Sequence, residues 1–512
     1  MVCPLGLGRR LLTVLQPWYV RSRPLDGLSG SQIFQALYGN PQRTHPWQQI
    51  ATLLESPYPL PADLPQARHA RYSLCGGPPR NHGDQPLLWT PALGTILPTL
   101  TARWQTPRPP APLLDETGAP WPQPLEPFAG GWLGWLGYDL AWEIERLPQK
   151  NPDPLPFPVA FWYEPDSFAI ADHHSQTLWL AASHPQDLDA LAAALANAPL
   201  PMVDSAPLEA QGLTLESTQA QYEAAVAEVK AAIHAGDTFQ TNLSLRFSTR
   251  TAAASWPLYR QLQRINPSPF ASYWRTPWGD VISCSPERLV SLRGDCAETR
   301  PIAGTRSRGH SPQQDQALAQ ELLSNIKENA EHIMLVDLER NDLGRVCTWG
   351  TVQVDELMAL EPYSHVMHLV SNVVGRLHPH YTPVDLIRAL FPGGTITGCP
   401  KVRCMEIIEA LEPVRRNLFY GSCGYLDWRG HLDLNILIRT LLWVADPTSP
   451  QATVYGQVGA GIVADSDPQR EWQESLQKAQ AQLQALGLSQ SPLRPQNSRK
   501  SQNKRLPGHT LP

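Results

Sequence analysis

Residues 459–479 read GAGIVADSDPQREWQESLQKA, a glycine-containing stretch that leads into a helix-like segment with two glutamates. Glu471 and Glu474 are three residues apart, and residues at this spacing share one face of a helix, so both carboxylates can point at the same place. Like charges held together repel each other. The pair therefore predicts a shared cation or a catalytic pair, or else a solvated helix face, and the rest of the chain has to decide between these.

The composition favours a small-molecule partner. The chain has 512 residues, enough for two to four core-sized units or one large composite domain, and its net charge is -6 with 17% charged residues. The basic excess that nucleic-acid binding favours is absent. The eight cysteines are scattered with no CxxC pair, which is typical of reduced thiols. No stretch is long and apolar enough to span a bilayer, so we expect a cytoplasmic protein without a membrane partner.

Three regions are expected along the chain. An N-terminal region covers 18–200 and contains proline-rich connectors around the glycine-tryptophan run GGWLGWLGYDL. A second region covers 216–484 and opens with a predicted helix, whose apolar face includes Tyr222 and Val226, followed by a predicted strand. Residues 488–512 contain five Lys or Arg and no acidic residue, which predicts a disordered basic tail.

A series of polar residues interrupts otherwise apolar segments of the second region, and buried polar groups need partners. The segments are QTNLSLRF (240–247), SCSPERLV (283–290), ETRPIAGT (298–305), NAEHIMLVDLERNDLGRV (329–346), HVMHLVSNVVG (365–375), FPGGTITGCPK (391–401) and GSCGYLDWRGHLDLNILIRTL (421–441). No P-loop, GxSxG or HExxH motif is present, so NTPase, serine-hydrolase and zincin functions lose their sequence support.

These segments, in this order from about 216 to 482, resemble the motifs of the chorismate-utilising enzymes, the family of anthranilate synthase component I and aminodeoxychorismate synthase component I. IATLLESPYP, ARYSLCGG and GGWLGWLGYDL resemble the N-terminal half of the family more weakly. The resemblance implies an α+β fold, in which large antiparallel β-sheets pack as a sandwich with helices outside. Both halves of the chain are expected to contribute strands.

The resemblance also implies a metal site and a substrate site. Glu331, Glu471 and Glu474 would hold Mg²⁺, a hard cation that prefers carboxylate and water oxygens and offsets the charge of the substrate carboxylates. Arg439 would bind a chorismate carboxylate through a forked hydrogen bond. Further contacts to the substrate are expected from Tyr425, Lys401 and the backbone of Gly459, Ala460 and Gly461. A structural ion pair for Arg439 and a ligand-free glycine-rich strand end are the alternatives.

The catalytic residues implied by the resemblance surround the leaving hydroxyl of chorismate. His368 and Glu287 would carry protons, because departure of hydroxide needs an acid or a metal. Thr395 belongs to the same set. Gln240 stands where the water-using relatives have a lysine base, which points to ammonia as the nucleophile. The chain has no GxCxGxQ signature, so a separate glutamine amidotransferase subunit is expected to supply that ammonia.

The position of amination divides the two ammonia-using branches. Asn242, NPSPFASYW and FPGGTITG favour amination at C4, which gives 4-amino-4-deoxychorismate for p-aminobenzoate and folate synthesis. Ala303 favours the anthranilate branch, because C4 enzymes have a lysine nucleophile there and alanine cannot form that adduct. Leu54, Glu55 and Ser56 resemble a tryptophan-binding signature. We predict the C4 reaction, with anthranilate synthesis as the alternative and a non-catalytic chorismate or tryptophan sensor as a further one.

Overall fold

The computed structural model describes residues 16–39, 45–56, 71–105, 112–197, 209–309, 311–362 and 366–488. The predicted tail from 489 onwards and residues 198–208, where the two predicted regions meet, lie outside the described residues. In the described part of the chain, no helix combines the length and the apolar character needed to cross a membrane.

Strands and helices are numbered in chain order. The strands are β1 (Trp18–Pro24), β2 (Ala51–Glu55), β3 (Tyr72–Gly76), β4 (Asn81–His82), β5 (Gln85–Pro86), β6 (Leu88–Trp89), β7 (Leu113–Leu114), β8 (Gly131–Leu136), β9 (Ala160–Tyr163), β10 (Ser167–Asp172), β11 (Thr177–Ala182), β12 (Ala210–Leu215), β13 (Gln240–Thr251), β14 (Phe270–Thr276), β15 (Gly279–Ser285), β16 (Arg288–Arg293), β17 (Cys296–Thr299), β18 (Ile302–Ser307), β19 (Gln353–Pro362), β20 (Val366–Arg376), β21 (Gly398–Cys399), β22 (Ser422–Asp427), β23 (Leu432–Asn435), β24 (Thr440–Ala445) and β25 (Ala452–Ile462).

The helices are α1 (Gly30–Tyr38), α2 (Ile96–Gln105), α3 (Ala141–Ile144), α4 (Pro185–Ala196), α5 (Gln219–His234), α6 (Ser255–Ile265), α7 (Pro312–Ser324), α8 (Ile326–Gly344), α9 (Pro383–Leu390), α10 (Lys401–Leu411), α11 (Pro468–Lys478) and α12 (Gln480–Ala485). Short 3₁₀ turns cover Pro46–Gln49, Tyr138–Leu140 and Gly394–Ile396. The predicted helix at the start of the second region is α5, with Tyr222, Val226 and Val229 buried and a capping box between Thr218 and Gln221.

Two large sheets build the molecule, and strands from both halves of the chain share each of them. The first has 13 strands in the order β12-β13-β25-β24-β15-β14-β2-β3-β10-β11-β1-β7, with β21 on β13; the second has 10 in the order β18-β20-β17-β16-β23-β22-β8-β9-β6, with β19 on β20. Among the described strands of these sheets every pairing is antiparallel except β1 with β7. The predicted α+β fold is confirmed.

Aromatic side chains fill the space between the sheets. Trp135 on β8 of the second sheet meets Trp274 on β14 of the first sheet edge to face, with 5.9 Å between ring centroids. Each is at most 1% exposed, and truncating such a side chain to alanine costs about 3–5 kcal/mol. Gly134 allows the close approach of β8 and β9, because a Cβ there would lie 2.6 Å from the Trp162 ring. The glycine-tryptophan run is therefore central sheet.

Candidate active site

Polar side chains surround the glycines of β25; we call these surroundings the cleft and the glycines its floor. Strand β25 pairs with β13, so that Gly461 lies opposite Asn242 and Gly459 lies opposite Ser244. A Cβ at Gly459 would lie 2.8 Å from Asn242 Oδ1 and 2.9 Å from the Tyr420 hydroxyl, and one at Gly461 would lie 3.3 Å from Glu331 Oε1. Glycine is required because polar groups from three elements come this close to the strand.

Ala460, between these two glycines, has its side chain on the opposite face of the strand. It is fully buried in an apolar cluster with Leu243 and Trp472. Successive side chains of a strand alternate between its faces, so Ala460 can contribute only its backbone to the cleft.

Two amide side chains are held so that their carbonyl oxygens stay available. Gln240 donates from Nε2 to Glu331 Oε1 at 2.7 Å, and Asn242 donates from Nδ2 to the Thr395 carbonyl at 3.3 Å. Gln240 Oε1 and Asn242 Oδ1 are buried and accept no hydrogen bond within the described residues. Because buried acceptors are normally satisfied, the two oxygens are suited to receive a donor from a bound molecule.

Arg439 places a partly buried positive charge at the same cleft. Its Nη1 donates to the Lys478 carbonyl at 2.9 Å, and burial lowers the pKa of the guanidinium. No carboxylate of the described residues forms an ion pair with it. A charge that is partly withdrawn from water and lacks a partner of opposite charge is costly, so an anionic ligand fits this position.

Tyr420 is a site residue that the sequence analysis missed. Its hydroxyl lies against Gly459, and the Arg439 charge partly offsets the rise that burial causes in its pKa. Both Tyr420 and Arg439 adopt left-handed backbone conformations, with φ of 65° and 52°, and such strain is concentrated at functional sites. The sequence feature that could have identified Tyr420 as a site residue is its position directly before the GSCG segment.

The pKa values of Glu287 and His368 are shifted in opposite directions. Burial, helped by the charge of Glu339 and opposed by the Thr395 hydroxyl, raises the pKa of Glu287 to about 8. Burial and the Arg439 charge lower the pKa of His368 to about 4, against a contact with the Gly304 backbone. At neutral pH Glu287 carries a proton and His368 is neutral, so the glutamate is the acid of the pair.

Ala303 and Thr395 each lie near one of these two groups. Ala303 is 8% exposed on β18, paired with Leu369 beside the bulge that aligns residue 305 with His368. Thr395 belongs to the Gly394–Ile396 turn, next to Glu287. The structure therefore brings the predicted catalytic residues into one neighbourhood.

The structure does not bring Tyr425 and Lys401 to Arg439. Tyr425 lies on β22, where its ring is 5.7 Å from that of Phe128 and lines a cavity between the two sheets. Lys401 donates to Asp342 Oδ2 at 2.6 Å and to the Leu390 carbonyl at 2.9 Å. Tyr425 packs between the two sheets, and Lys401 is held by its ion pair with Asp342, so neither side chain is available to Arg439.

The cavity that contains Tyr425 also contains part of the predicted tryptophan signature. Leu54 and Glu55 line it, together with Tyr72, Arg288, Asp433 and Asn435 among others. The Glu55 carboxylate accepts hydrogen bonds from Ser31, Tyr259 and Gln263 at 2.5–2.7 Å, and burial raises its pKa. Ser56 has a buried hydroxyl without a hydrogen bond in the described part of the chain.

Of the three predicted metal ligands, Glu331 lies on α8 beside Gly461, and Glu471 and Glu474 lie on α11. Glu331 is tied to Gln240, Glu471 is 6% exposed in the first turn of α11, and Glu474 is 51% exposed and paired with Lys478 at 2.8 Å. Lys478 also donates to the Gly459 carbonyl at 3.1 Å, which keeps Glu474 near the cleft floor. No group of three or more His, Cys, Asp or Glu within the described ranges is arranged to hold a metal ion. The donors suit Mg²⁺ in type, but Glu474 would have to leave Lys478.

Comparisons with known proteins agree with this architecture. A model of chorismate binding enzymes matches residues 99–484. The chain is 58% identical over 483 residues to an anthranilate synthase component I-like protein of Synechocystis sp., covering 94% of each. It is 43% identical over 449 residues to aminodeoxychorismate synthase component 1 of Bacillus subtilis, covering 83% of this chain and 92% of that one.

Among solved structures, anthranilate synthase component I from Streptococcus pneumoniae superposes with a TM-score of 0.65 at 31% identity, covering 83% of this chain and 94% of the other. The matched range contains the glycine floor, both amide side chains, Arg439 and the two proton-carrying groups. The chain therefore belongs to the family of chorismate-binding enzymes.

Proposed function

We propose that the chain is a component I enzyme that aminates chorismate at C4 with ammonia, giving 4-amino-4-deoxychorismate for p-aminobenzoate and folate synthesis. The observation that carries amination is the pair of acceptors Gln240 Oε1 and Asn242 Oδ1, which are buried, fixed and unpaired within the described residues. Ammonia offers N–H donors to both oxygens. A lysine in place of Gln240 would instead act as a base toward water.

Each residue of the cleft has a role in this reaction. Arg439 and Tyr420 bind a substrate carboxylate over Gly459, whose missing side chain makes room for it. Glu287 gives its proton to the departing hydroxyl, so that water leaves and the glutamate becomes a carboxylate. His368, neutral at working pH, accepts the proton that the newly bound ammonium loses. Overall, chorismate and ammonia give the aminated product and water.

Mg²⁺ is part of the proposal, with Glu331, Glu471 and Glu474 as its protein ligands. When bound, it would offset the charge of the substrate carboxylate beside these glutamates. A glutamine amidotransferase subunit would supply the ammonia, in keeping with the word component in the names of the relatives. We place the activity in the cytoplasm, since seven cysteines in the described ranges form no disulfide.

Anthranilate synthesis is the second candidate, favoured by Ala303. This residue is buried on β18 and offers no nucleophile to C2 of the ring. The anthranilate-type name of the Synechocystis relative points the same way. The cavity beside Leu54 and Glu55 is proposed as a tryptophan site under either reaction, and a tryptophan or chorismate sensor without turnover is the third candidate.

Product analysis tests the choice. Purified chain is incubated with chorismate, Mg²⁺ and ammonium salts, and the products are separated and identified by mass. We expect 4-amino-4-deoxychorismate as the main product, none with glutamine as sole nitrogen source, and none from the variant Glu287→Gln. Anthranilate as the sole product would establish the second candidate, and binding of chorismate without turnover would establish the sensor.

A further inference from the structure

A second buried acid lies behind Glu287. Glu339 is on α8 and is 4% exposed. Its Oε2 accepts a hydrogen bond from the Thr299 hydroxyl at 3.1 Å, and the backbone N–H of Gly394 donates to the same carboxyl. The carboxyl of Glu339 is therefore held between β17 and the turn Gly394–Ile396.

This turn links Glu339 to Glu287. A Cβ at Gly394 would lie 3.4 Å from Glu339 Oε1, so the turn rests directly on the glutamate. The next residue, Thr395, lies close enough to Glu287 for its hydroxyl to lower the pKa of that carboxyl, and the charge of Glu339 raises the same pKa. The two acids are thus coupled through one structural element and through space.

The ion pair between Asp342 and Lys401 supplies charges close to Glu339. Burial, helped by the Asp342 charge and opposed by Lys401, raises the pKa of Glu339 to about 7. Asp342 is held by Lys401 at 2.6 Å, with Arg345 near it. The titratable groups that act on Glu339 are therefore Glu287, Asp342 and Lys401. The charge that acts on Glu287 is that of Glu339.

We propose that Glu339 is a positioning residue for the acid of this site: it holds the turn Gly394–Ile396 against Glu287 and keeps the Glu287 carboxyl in its proton-carrying form. The physical reason is that two carboxyls in a region of low dielectric do not both ionise readily, so a charge on one favours the proton on the other. The inference rests on the proposed function in one respect, that Glu287 is the proton donor.

The first test is the pH dependence of turnover. Chorismate consumption is measured from pH 6 to 9.5 at a fixed concentration of NH₃ rather than of total ammonium, in wild type, Glu339→Gln and Asp337→Asn. Asp337 is on the same helix but is 58% exposed and pairs with Arg340, so it controls for loss of a carboxylate. The alkaline limb should move down by about one pH unit in Glu339→Gln only. An unmoved limb in Glu339→Gln would overturn the inference.

The second test needs no activity. Because the pKa of Glu287 is raised in the folded protein, its neutral carboxyl stabilises the fold at pH values below 4.5, the ordinary pKa of glutamate. This stabilisation is lost as the pH rises from 4.5 to about 8. The difference in Tm between wild type and Glu287→Gln should therefore grow across this window, in favour of the variant. With Glu339→Gln present in both proteins, the window should end about one pH unit lower.

The two tests separate failure of the inference from failure of the proposed function. Wild-type turnover in Glu287→Gln would remove the acid assignment itself. If Glu287→Gln loses turnover but the pH window is the same with and without Glu339→Gln, Glu287 keeps its assignment as the acid. The proposed role of Glu339 is then refuted.

Discussion

At the scale of single residues, Arg439 is partly buried and lacks a carboxylate partner in the described part of the chain. Arg439→Lys keeps the charge but loses the planar fork that matches a carboxylate. We expect KM for chorismate to rise at least tenfold, about 1.4 kcal/mol or more, with a smaller fall in kcat. Steady-state kinetics measure both.

Arg403→Lys is the matched control for this substitution. Arg403 is 45% exposed and pairs with Asp237 and Glu406 on the surface, where ion pairs contribute little. It should leave KM unchanged. An equal effect of the two substitutions, or none at Arg439, would show that the Arg439 guanidinium does not bind the substrate.

In the proposed function, the residue at position 303 decides which carbon of the ring is open to attack. The residue is buried beside the strand that carries His368, so Ala303→Lys places an amine in a site where burial favours its neutral, nucleophilic form. We expect the share of C4-aminated product to rise, as measured by chromatography and mass. Ala303→Met, of similar length without the amine, is the control, and an equal product ratio in the two variants would refute the role of position 303.

At the scale of elements, α11 carries two of the three proposed magnesium ligands. Asp467 caps the helix by accepting from the Arg470 N–H at 2.9 Å, and this fixes the turn that buries Glu471. Glu474, one turn further along, exchanges between Lys478 and the cleft in our proposal. In this proposal the helix presents one fixed and one movable carboxylate.

Replacing the movable carboxylate tests the magnesium proposal. Glu474→Gln keeps the shape and removes the charge, so we expect a severe loss of turnover and at least a tenfold increase in the Mg²⁺ concentration for half-maximal rate. The rise in Tm caused by Mg²⁺ should shrink in parallel. Glu406→Gln, on the exposed face of α10, is the control, and wild-type Mg²⁺ dependence in Glu474→Gln would exclude Glu474 as a ligand.

At the scale of the whole molecule, both sheets depend on strands from the two halves. Strand β2 pairs with β14 through Leu54 and Ser272, and β8 pairs with β22 through Gly134 and Gly424. A fragment comprising 216–484 would leave β14 and β22 with unpaired edges and would expose the apolar surface around Trp274. We expect this fragment alone to aggregate or to unfold without cooperativity, as followed by circular dichroism.

Co-expression provides the control for this fragment. The pieces 1–215 and 216–512 produced together should assemble and recover part of the turnover, because the break falls at the end of β12 rather than within a strand of the sheets. Native-like, cooperative unfolding of 216–484 by itself would contradict the dependence of each half on the other.

Local patterns in the sequence determined the elements and the order of the functional segments. The helix with Tyr222 and Val226, the strand that follows it and the shared helix for Glu471 and Glu474 all lie where periodicity predicted them. These features depend on residues a few positions apart, and their geometry is the same in any protein. The chorismate-binding family was readable for the same reason, since its motifs are local.

Only the tertiary structure decided which polar groups meet. Tyr420 and Tyr425 are five residues apart, yet one faces Gly459 and the other a cavity between the sheets. Lys401 finds its partner Asp342 59 positions away. Such contacts arise from the packing of distant elements, which must bury apolar surface and satisfy polar atoms simultaneously over the whole chain. No local spacing encodes that solution, so the sequence by itself identified the family and proposed site residues, but not which of these residues meet.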